Sequence, residues 1–148
     1  MMIPMPWKVK KRGRYVNTID LVWNLVYTAI PHTPDIKNYW RTPEETLCDG
    51  KGDCEDKAIL ALAICNLKRI RAVMIGGLIK NPNSEEKYGH TWLETPGGKR
   101  VENHLFYWEY QKPPGTFRAD SILQVAKFQQ WPWYYRWVWQ VWLWLTGI

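Results

Sequence analysis

Apolar residues recur at steps of three and four along residues 16–30, directly before Pro31. The members of this pattern are Ile19, Val22, Trp23 and Val26. Such spacing is typical of an amphipathic α-helix, whose apolar side faces a core. Proline cannot continue a helix, so we predict a first helix that ends at about residue 30.

A second, shorter helix is predicted from its start signals. Thr42 precedes Pro43 and stands three residues before Glu45. A threonine at the N-cap, a proline at the first helical position and a glutamate at the third form a capping box. We expect this helix to end near Leu47, before the glycine-containing turn at 49–52.

Residues 54–67 are apolar on every side between charged ends. A helix that is apolar all round is normally buried. The sequence therefore predicts a central helix, and its first turn carries Cys54.

The next part of the chain predicts strands. Residues 71–80 are rich in β-branched and apolar side chains, which favour a buried strand, and Gly76-Gly77 within it indicates a bulge or a close approach. Residues 89–94 and 99–103 flank a Thr-Pro-Gly-Gly turn and predict an antiparallel hairpin. Helices followed by a strand meander predict an α+β fold.

Beyond the hairpin, residues 106–110 predict a further strand. Residues 119–130 predict a helix with Asp120 or Ser121 near its start.

The segment 131–148 holds six of the eleven tryptophans. It is slightly shorter than the ~20 apolar residues of a membrane-spanning helix. We expect it to pack on the domain as a helix or strand, because aromatic side chains bury large areas; the alternative is exposure to a membrane interface or a partner.

The chain has 148 residues, enough for one domain, 1–148, with a basic arm at 1–14 and the tryptophan-rich segment 131–148 as appendages. The net charge of +6 is compatible with anionic partners. However, no run of basic residues interleaved with aromatics indicates a nucleic-acid groove, apart from the short run at 8–14. Basic ends are more often solvated, so a nucleic-acid binder that uses this run is a less favoured alternative. No apolar signal segment follows that run, and the three cysteines are an odd number. We therefore expect a cytoplasmic protein with reduced thiols.

Cys54 has the environment of a nucleophile. The N-terminal end of a helix presents unpaired N–H groups and a positive dipole, and both favour the thiolate. Thiol catalysis also needs a histidine that takes the proton. The sequence offers three: His32, in a proline-rich loop and expected to be solvated; His104, at the end of a predicted strand; and His90, which we favour.

A third group must orient the imidazole. In the predicted hairpin, residues near 90–93 pair with residues near 102–105, which places Glu102 or Asn103 beside His90. Only one of the two can point at the ring, because neighbouring side chains in a strand face opposite sides. An acid would also stabilise the imidazolium more strongly than an amide.

Four segments carry a resemblance to a known family. They are NYWRTPEETL at 38–47, GDCED at 52–56, Gly-His at 89–90 and Val-Glu-Asn at 101–103. Together they resemble the bacterial transglutaminase-like cysteine peptidases of the papain-like transglutaminase superfamily, over about 16–105. The resemblance implies a core helix bearing the cysteine, packed on an antiparallel sheet that bears the histidine and the acid.

The resemblance also implies residue roles. Cys54 would be the nucleophile and His90 the base. The family usually has aspartate where this chain has Glu102, so Glu102 would inherit the orienting role, with Asn103 as the alternative. The oxyanion hole would use the Cys54 backbone N–H and a second donor, for which Trp40 or Asn17 are candidates.

Some related proteins bind calcium through acidic residues near the nucleophile, and Asp53, Glu55 and Asp56 are weak candidates here. We favour their helix-dipole role and expect no cofactor. Cys65 lies within the apolar run and is expected to be a buried apolar side chain. Cys48 and Cys54 are not spaced like a zinc ligand pair.

These features predict a thiol enzyme that attacks an amide of a protein or peptide substrate. Transfer of the acyl group to water makes a cysteine peptidase, our first prediction; transfer to a lysine amine makes a transglutaminase. The alternative is a non-catalytic binding module that holds a membrane or partner through residues 131–148. Compact members of the superfamily occur in phages and prokaryotes, so either origin fits.

Overall fold

The computed structural model describes residues 2–34, 39–101 and 108–146. It contains six helices and four strands within these ranges. In chain order they are α1 (Pro6–Arg12), α2 (Ile19–Ala29), α3 (Pro43–Asp49), α4 (Cys54–Leu67), β1 (Val73–Lys80), β2 (Lys87–Glu94), β3 (Glu109–Gln111), β4 (Phe117–Ala119), α5 (Ile122–Phe128) and α6 (Trp133–Thr146). The predicted α+β class is confirmed.

Helix α4 is the centre of the domain. Its residues 56–65 and Leu67 are buried, and it contacts the other five helices as well as β1 and β2. Its start is held by a capping box in which Asp53 and Asp56 each accept a hydrogen bond, 3.1 Å long, from the other's backbone N–H. The predicted central helix and the capping box at Thr42 are both confirmed.

Strand β1 is the middle of an antiparallel sheet. It pairs with β2 along its whole length, with β3 at its C-terminal end and with β4 nearer its start. The register with β2 is continuous, so the two glycines of β1 form no bulge in that pairing. The other expectation, a close approach, is correct at Gly77: a methyl group there would lie 2.6 Å from the Gln111 carbonyl oxygen and 2.7 Å from the Trp92 ring.

Gly77→Ala is therefore expected to lower the free energy of unfolding by about 2 kcal/mol, because the backbone of β3 and a buried ring must shift to admit the methyl group. Gly89→Ala is the matched control on β2, where a methyl group would meet nothing within 4 Å. Its effect should stay within about 0.5 kcal/mol. Denaturant unfolding of both variants tests the pair, and similar losses would contradict the close approach.

The predicted hairpin turn lies between β2 and residue 101. Thr95 N–H donates to the Lys99 carbonyl at 2.8 Å, and Gly98 has a φ of 91°, a conformation that favours glycine. Val101 N–H then donates to the Leu93 carbonyl at 3.0 Å. The remainder of the predicted second strand, at 102–103, lies outside the described residues, as does the first part of the strand predicted at 106–110.

The basic N-terminal segment is not an arm along its whole length, because residues 6–12 form α1. Val9 is completely buried against the core, and Lys68 Nζ donates to the Arg14 carbonyl at 2.9 Å. The buried valine holds the helix on α4 while the basic side chains face outward. Strand β4 was also not predicted; it occupies residues 117–119, and α5 begins after Ser121, which caps it.

The tryptophan-rich segment forms α6 and packs on the domain through one side. Tyr135 and Trp139 are buried there, and both donate to the carboxylate of Glu44 on α3. The Tyr135 hydroxyl lies 2.5 Å from Glu44 Oε1, and Trp139 Nε1 lies 3.2 Å from the same oxygen. Among the described residues, no helix combines the length and apolar character needed to cross a membrane.

Candidate active site

Cys54 is the first residue of α4 and is partly buried. The capping box holds this end of the helix, where the backbone N–H groups of the first turn point out of the helix end. The helix dipole favours negative charge at this position. The fold therefore places the sulfur where a thiolate is stabilised.

Arg41 ties the segment before α3 to this end of α4. Its backbone N–H donates to Asp56 at 2.9 Å, and its guanidinium donates to the same carboxylate at 2.6 Å. The guanidinium also contacts Asp49 at 3.0 Å. Since Asp56 is fully buried, this ion pair fixes the position of the loop that carries Trp40.

Trp40 connects that loop to the sheet. Its ring contacts Phe117 edge-on, with ring centroids 5.5 Å apart, and Phe117 Cβ lies 3.4 Å from the position of a methyl group on Gly76. In β1, Gly76 pairs with Thr91 and Gly77 pairs with His90. A continuous set of contacts thus runs from the first turn of α4 to the level of His90.

The dimensions of the elements support the same placement. The connection from α4 to β1 is only residues 68–72, so β1 runs back along the helix. A helix of 14 residues is ~21 Å long, a distance that a strand covers in about six residues. Six residues from the start of β1 at Val73 reach Leu78. Leu78 is the neighbour of Gly77, which pairs with His90.

Aromatic rings surround the His90 imidazole. It stacks on Trp92 with centroids 6.0 Å apart and meets Tyr110 edge-on at 5.8 Å. Trp92 Nε1 donates to Glu94 at 2.8 Å, and Glu94 accepts from Lys112 at 3.1 Å. These hydrogen bonds fix the position of the Trp92 ring on which the imidazole stacks.

The face of the sheet on which the His90 side chain lies limits where its imidazole can contact the Cys54 thiol. Alternation along β2 places Leu93 on the opposite face, where it packs in the core around α4. A contact between the imidazole and Cys54 therefore has to form at the N-terminal end of α4, outside the packed interface. His90 itself is partly buried, between the exposed residues 87–89 and the buried residues 91–94.

The carboxylates beside Cys54 carry less negative charge than their number suggests. Burial, followed by the proximity of Asp53, raises the pKa of Glu55 to about 8, so Glu55 is largely protonated at neutral pH. Burial also raises the pKa of Asp56, to about 6, against the opposing effect of its hydrogen bonds with Arg41, so Asp56 stays mostly ionised at neutral pH beside that guanidinium. Less charge near the sulfur means less opposition to a thiolate.

The weak calcium candidates Asp53, Glu55 and Asp56 do not form a metal-ligand cluster, and the part of the chain that the structure describes contains no group of three or more such ligands. Asp53 and Asp56 accept the capping hydrogen bonds, and Asp56 also binds Arg41. Two of the three carboxylates are therefore already engaged by hydrogen-bond donors of the protein.

Of the two oxyanion candidates, Trp40 lies near the N-terminal end of α4, but Asn17 does not. Lys57, in the first turn of α4, lies over the Tyr27 ring near the end of α2, at 4.9 Å. The two helices are thus antiparallel, and Asn17, just before α2, lies towards the other end of α4. Asn17 therefore does not lie where an oxyanion donor is needed, although its side-chain chemistry would suit that role.

Glu102, Asn103 and His104 lie outside the described residues, so the orienting role stays a prediction. His32 is exposed as expected, although its backbone pairs with Gly52, close in sequence to Cys54.

The three cysteines differ in environment, and none forms a disulfide. Cys65 is fully buried, as predicted, and burial raises its pKa to about 12. Cys48 is exposed on α3. The protein therefore contains an exposed thiol and a buried thiol with which the reactivity of Cys54 can be compared.

Arg41, which positions the loop before α3, and Glu44, which anchors α6, were not among the residues predicted from the sequence. A signal for Arg41 was present, because an aspartate in the first turn of a fully buried helix requires a partner. Glu44 had no such signal, since its two donors follow it by 91 and 95 residues.

A family model described as the transglutaminase-like superfamily matches residues 9–108. The chain belongs to the transglutaminase-like superfamily. The match includes α2, α3, α4, β1 and β2, and it stops before β3, β4, α5 and α6. No curated protein sequence matched the chain. Membership of this superfamily supports a thiol enzyme, and the predicted resemblance is confirmed at that level.

Proposed function

We propose that this member of the transglutaminase-like superfamily is a cysteine peptidase that uses Cys54 as nucleophile and His90 as base. The observation that carries the proposal is the position of Cys54 as the first residue of the capped helix α4. The pairing of His90 with Gly77, on the strand that follows this helix, supports it. Family membership and the reduced charge around the thiol support it.

In this reaction the His90 imidazole takes the thiol proton, and the Cys54 thiolate attacks the carbonyl carbon of a peptide bond. The C–N bond breaks, and the imidazolium returns the proton to the leaving amine. Water, deprotonated by the imidazole, then attacks the thioester and releases the carboxylic acid and the thiol. Glu102, or Asn103 in its place, would hold the imidazole in the required tautomer.

The negative oxygen of each tetrahedral intermediate needs hydrogen-bond donors. The backbone N–H of Cys54 belongs to the first turn of α4, whose N–H groups point out of the helix end. We assign the second donor to Trp40, because the Arg41–Asp56 ion pair holds its loop beside that turn. The proposed substrate is a protein or peptide segment bound across this end of the helix.

Residue-resolved labelling with iodoacetamide near neutral pH tests the nucleophile. We expect Cys54 to react at least about tenfold faster than Cys48, because a helix N-terminus and a nearby imidazole lower a thiol pKa by a unit or more. Cys48 is exposed and serves as the accessible reference; Cys65 is buried and should react last.

His90→Ala should slow the labelling of Cys54 and leave Cys48 unchanged. His32→Ala is the matched control, because that histidine is exposed and pairs through its backbone. Equal rates at Cys54 and Cys48, or equal effects of the two histidine variants, would contradict the proposal. Assays of peptide hydrolysis and of amine incorporation then distinguish peptidase from transglutaminase activity.

A further inference from the structure

Helix α6 presents a row of exposed tryptophans on the side opposite its buried anchor. Trp133, Trp137 and Trp144 are 71%, 62% and 65% exposed. They lie four and seven residues apart, so they share one face of the helix. Tyr135 and Trp139, on the other side, are completely buried. The row is therefore fixed to the domain by its own helix and is about 16 Å long.

The segment that carries this row has only basic charged side chains. Residues 121–148 contain no aspartate or glutamate, and their two charged side chains are Lys127 and Arg136. Both line a groove of about 520 Å³ between α5 and α6, together with Trp133 and Trp137. The whole protein carries a net charge of +6. An anionic surface is the complementary partner.

We propose that the face of α6 formed by Trp133, Trp137 and Trp144 docks on the interface of an anionic lipid bilayer. Tryptophan favours the boundary between headgroups and acyl chains, and an amphipathic helix with basic flanks lies parallel to that boundary. Helix α6 has 14 residues, so it lies on a bilayer rather than crossing it.

The shape of the surface favours a bilayer over single-stranded nucleic acid. Nucleic-acid binding of this kind combines stacking rings with a basic groove that follows the phosphate backbone. Here the three indoles stand along the convex side of a helix, and the segment 121–148 adds two cations, Lys127 and Arg136. Such a row of indoles can insert into a bilayer surface. It does not form a groove in which the bases of a single-stranded nucleic acid could stack between rings.

Co-sedimentation of the full chain with vesicles tests the proposal. Vesicles of phosphatidylcholine mixed with phosphatidylglycerol should bind the protein more tightly than vesicles of phosphatidylcholine alone. The triple variant Trp133→Gln, Trp137→Gln and Trp144→Gln should bind at least about tenfold more weakly, because each indole loses its apolar burial. Lys127→Ala and Arg136→Ala should each weaken binding to the anionic vesicles about fivefold.

Leu21→Gln is the control for loss of an exposed apolar side chain, since Leu21 is 47% exposed on α2, and its binding should be unchanged. Labelling of Cys54 in the triple variant should match the parent protein, which separates this test from that of the peptidase. Failure to bind either vesicle, binding insensitive to the triple variant, or salt-dependent retention of single-stranded DNA through the same tryptophans without vesicle binding would overturn the proposal.

Discussion

Asp56→Asn is expected to lower the free energy of unfolding by about 3 kcal/mol, because it breaks a buried ion pair and leaves the Arg41 guanidinium paired with the more exposed Asp49. Asp56 is fully buried and accepts hydrogen bonds from the backbone and guanidinium of Arg41 and from the Asp53 N–H. The Arg41 side chain is only 18% exposed, so water replaces little of what is lost. Denaturant unfolding measures the change.

Asp49→Asn provides a matched control on the same guanidinium. Asp49 contacts Arg41 at 3.0 Å, but its side chain is 45% exposed. Solvent screens such a pair, so Asp49→Asn should lower the free energy of unfolding by at most about 1 kcal/mol. Equal stability losses in the two variants would show that burial does not decide the strength of these contacts.

Glu44→Gln is expected to remove a pH dependence of stability. Burial raises the pKa of Glu44 from 4.5 to about 7, and the hydrogen bonds from Tyr135 and Trp139 only partly oppose this. Between these values the folded protein keeps a proton that the unfolded chain releases. The contribution of the neutral carboxyl group is therefore complete below about pH 4.5 and is lost as the pH rises through 7, by about 3 kcal/mol.

The measurement is the difference in unfolding free energy between the parent protein and Glu44→Gln from pH 4.5 to 8. The parent should lose stability relative to the variant as the pH rises, and the difference should level off above about pH 8. Other buried acids titrate in both proteins, so their contributions cancel in the difference in unfolding free energy. Glu85→Gln, at a fully exposed side chain, is the control and should show a constant difference. A constant difference for Glu44→Gln would mean that its carboxylate is as stable inside the protein as in water.

Local signals predicted the elements that they directly encode. The capping box at Thr42 and the all-apolar segment 54–67 were recognisable because a start signal and a hydrophobic pattern determine a helix locally. Helix α1 was missed because seven residues with one buried valine show no periodicity. Strand β4 was missed because three residues are too few to show a strand pattern. Its strand conformation depends on pairing with the edge of β1.

The candidate site was predictable to a similar extent. A cysteine at the start of a buried helix is a local feature, and Cys54 was identified for that reason. The motif around His90 carried the family resemblance, which the superfamily match supports. Asn17, in contrast, was a guess from side-chain chemistry, and the antiparallel packing of α2 on α4 places it away from the thiol.

The amino-acid order alone established the α+β class, the central helix, the hairpin turn and the superfamily, because periodicity, capping and turn residues act within a few positions of one another. Tertiary structure decided which distant groups meet: Arg41 with Asp56, Glu44 with Tyr135, and Trp40 with Phe117. It also decided which side of α6 is buried, since tryptophans occur around most of that helix. Contacts between residues far apart in the chain depend on how the elements pack, and no local pattern records that packing.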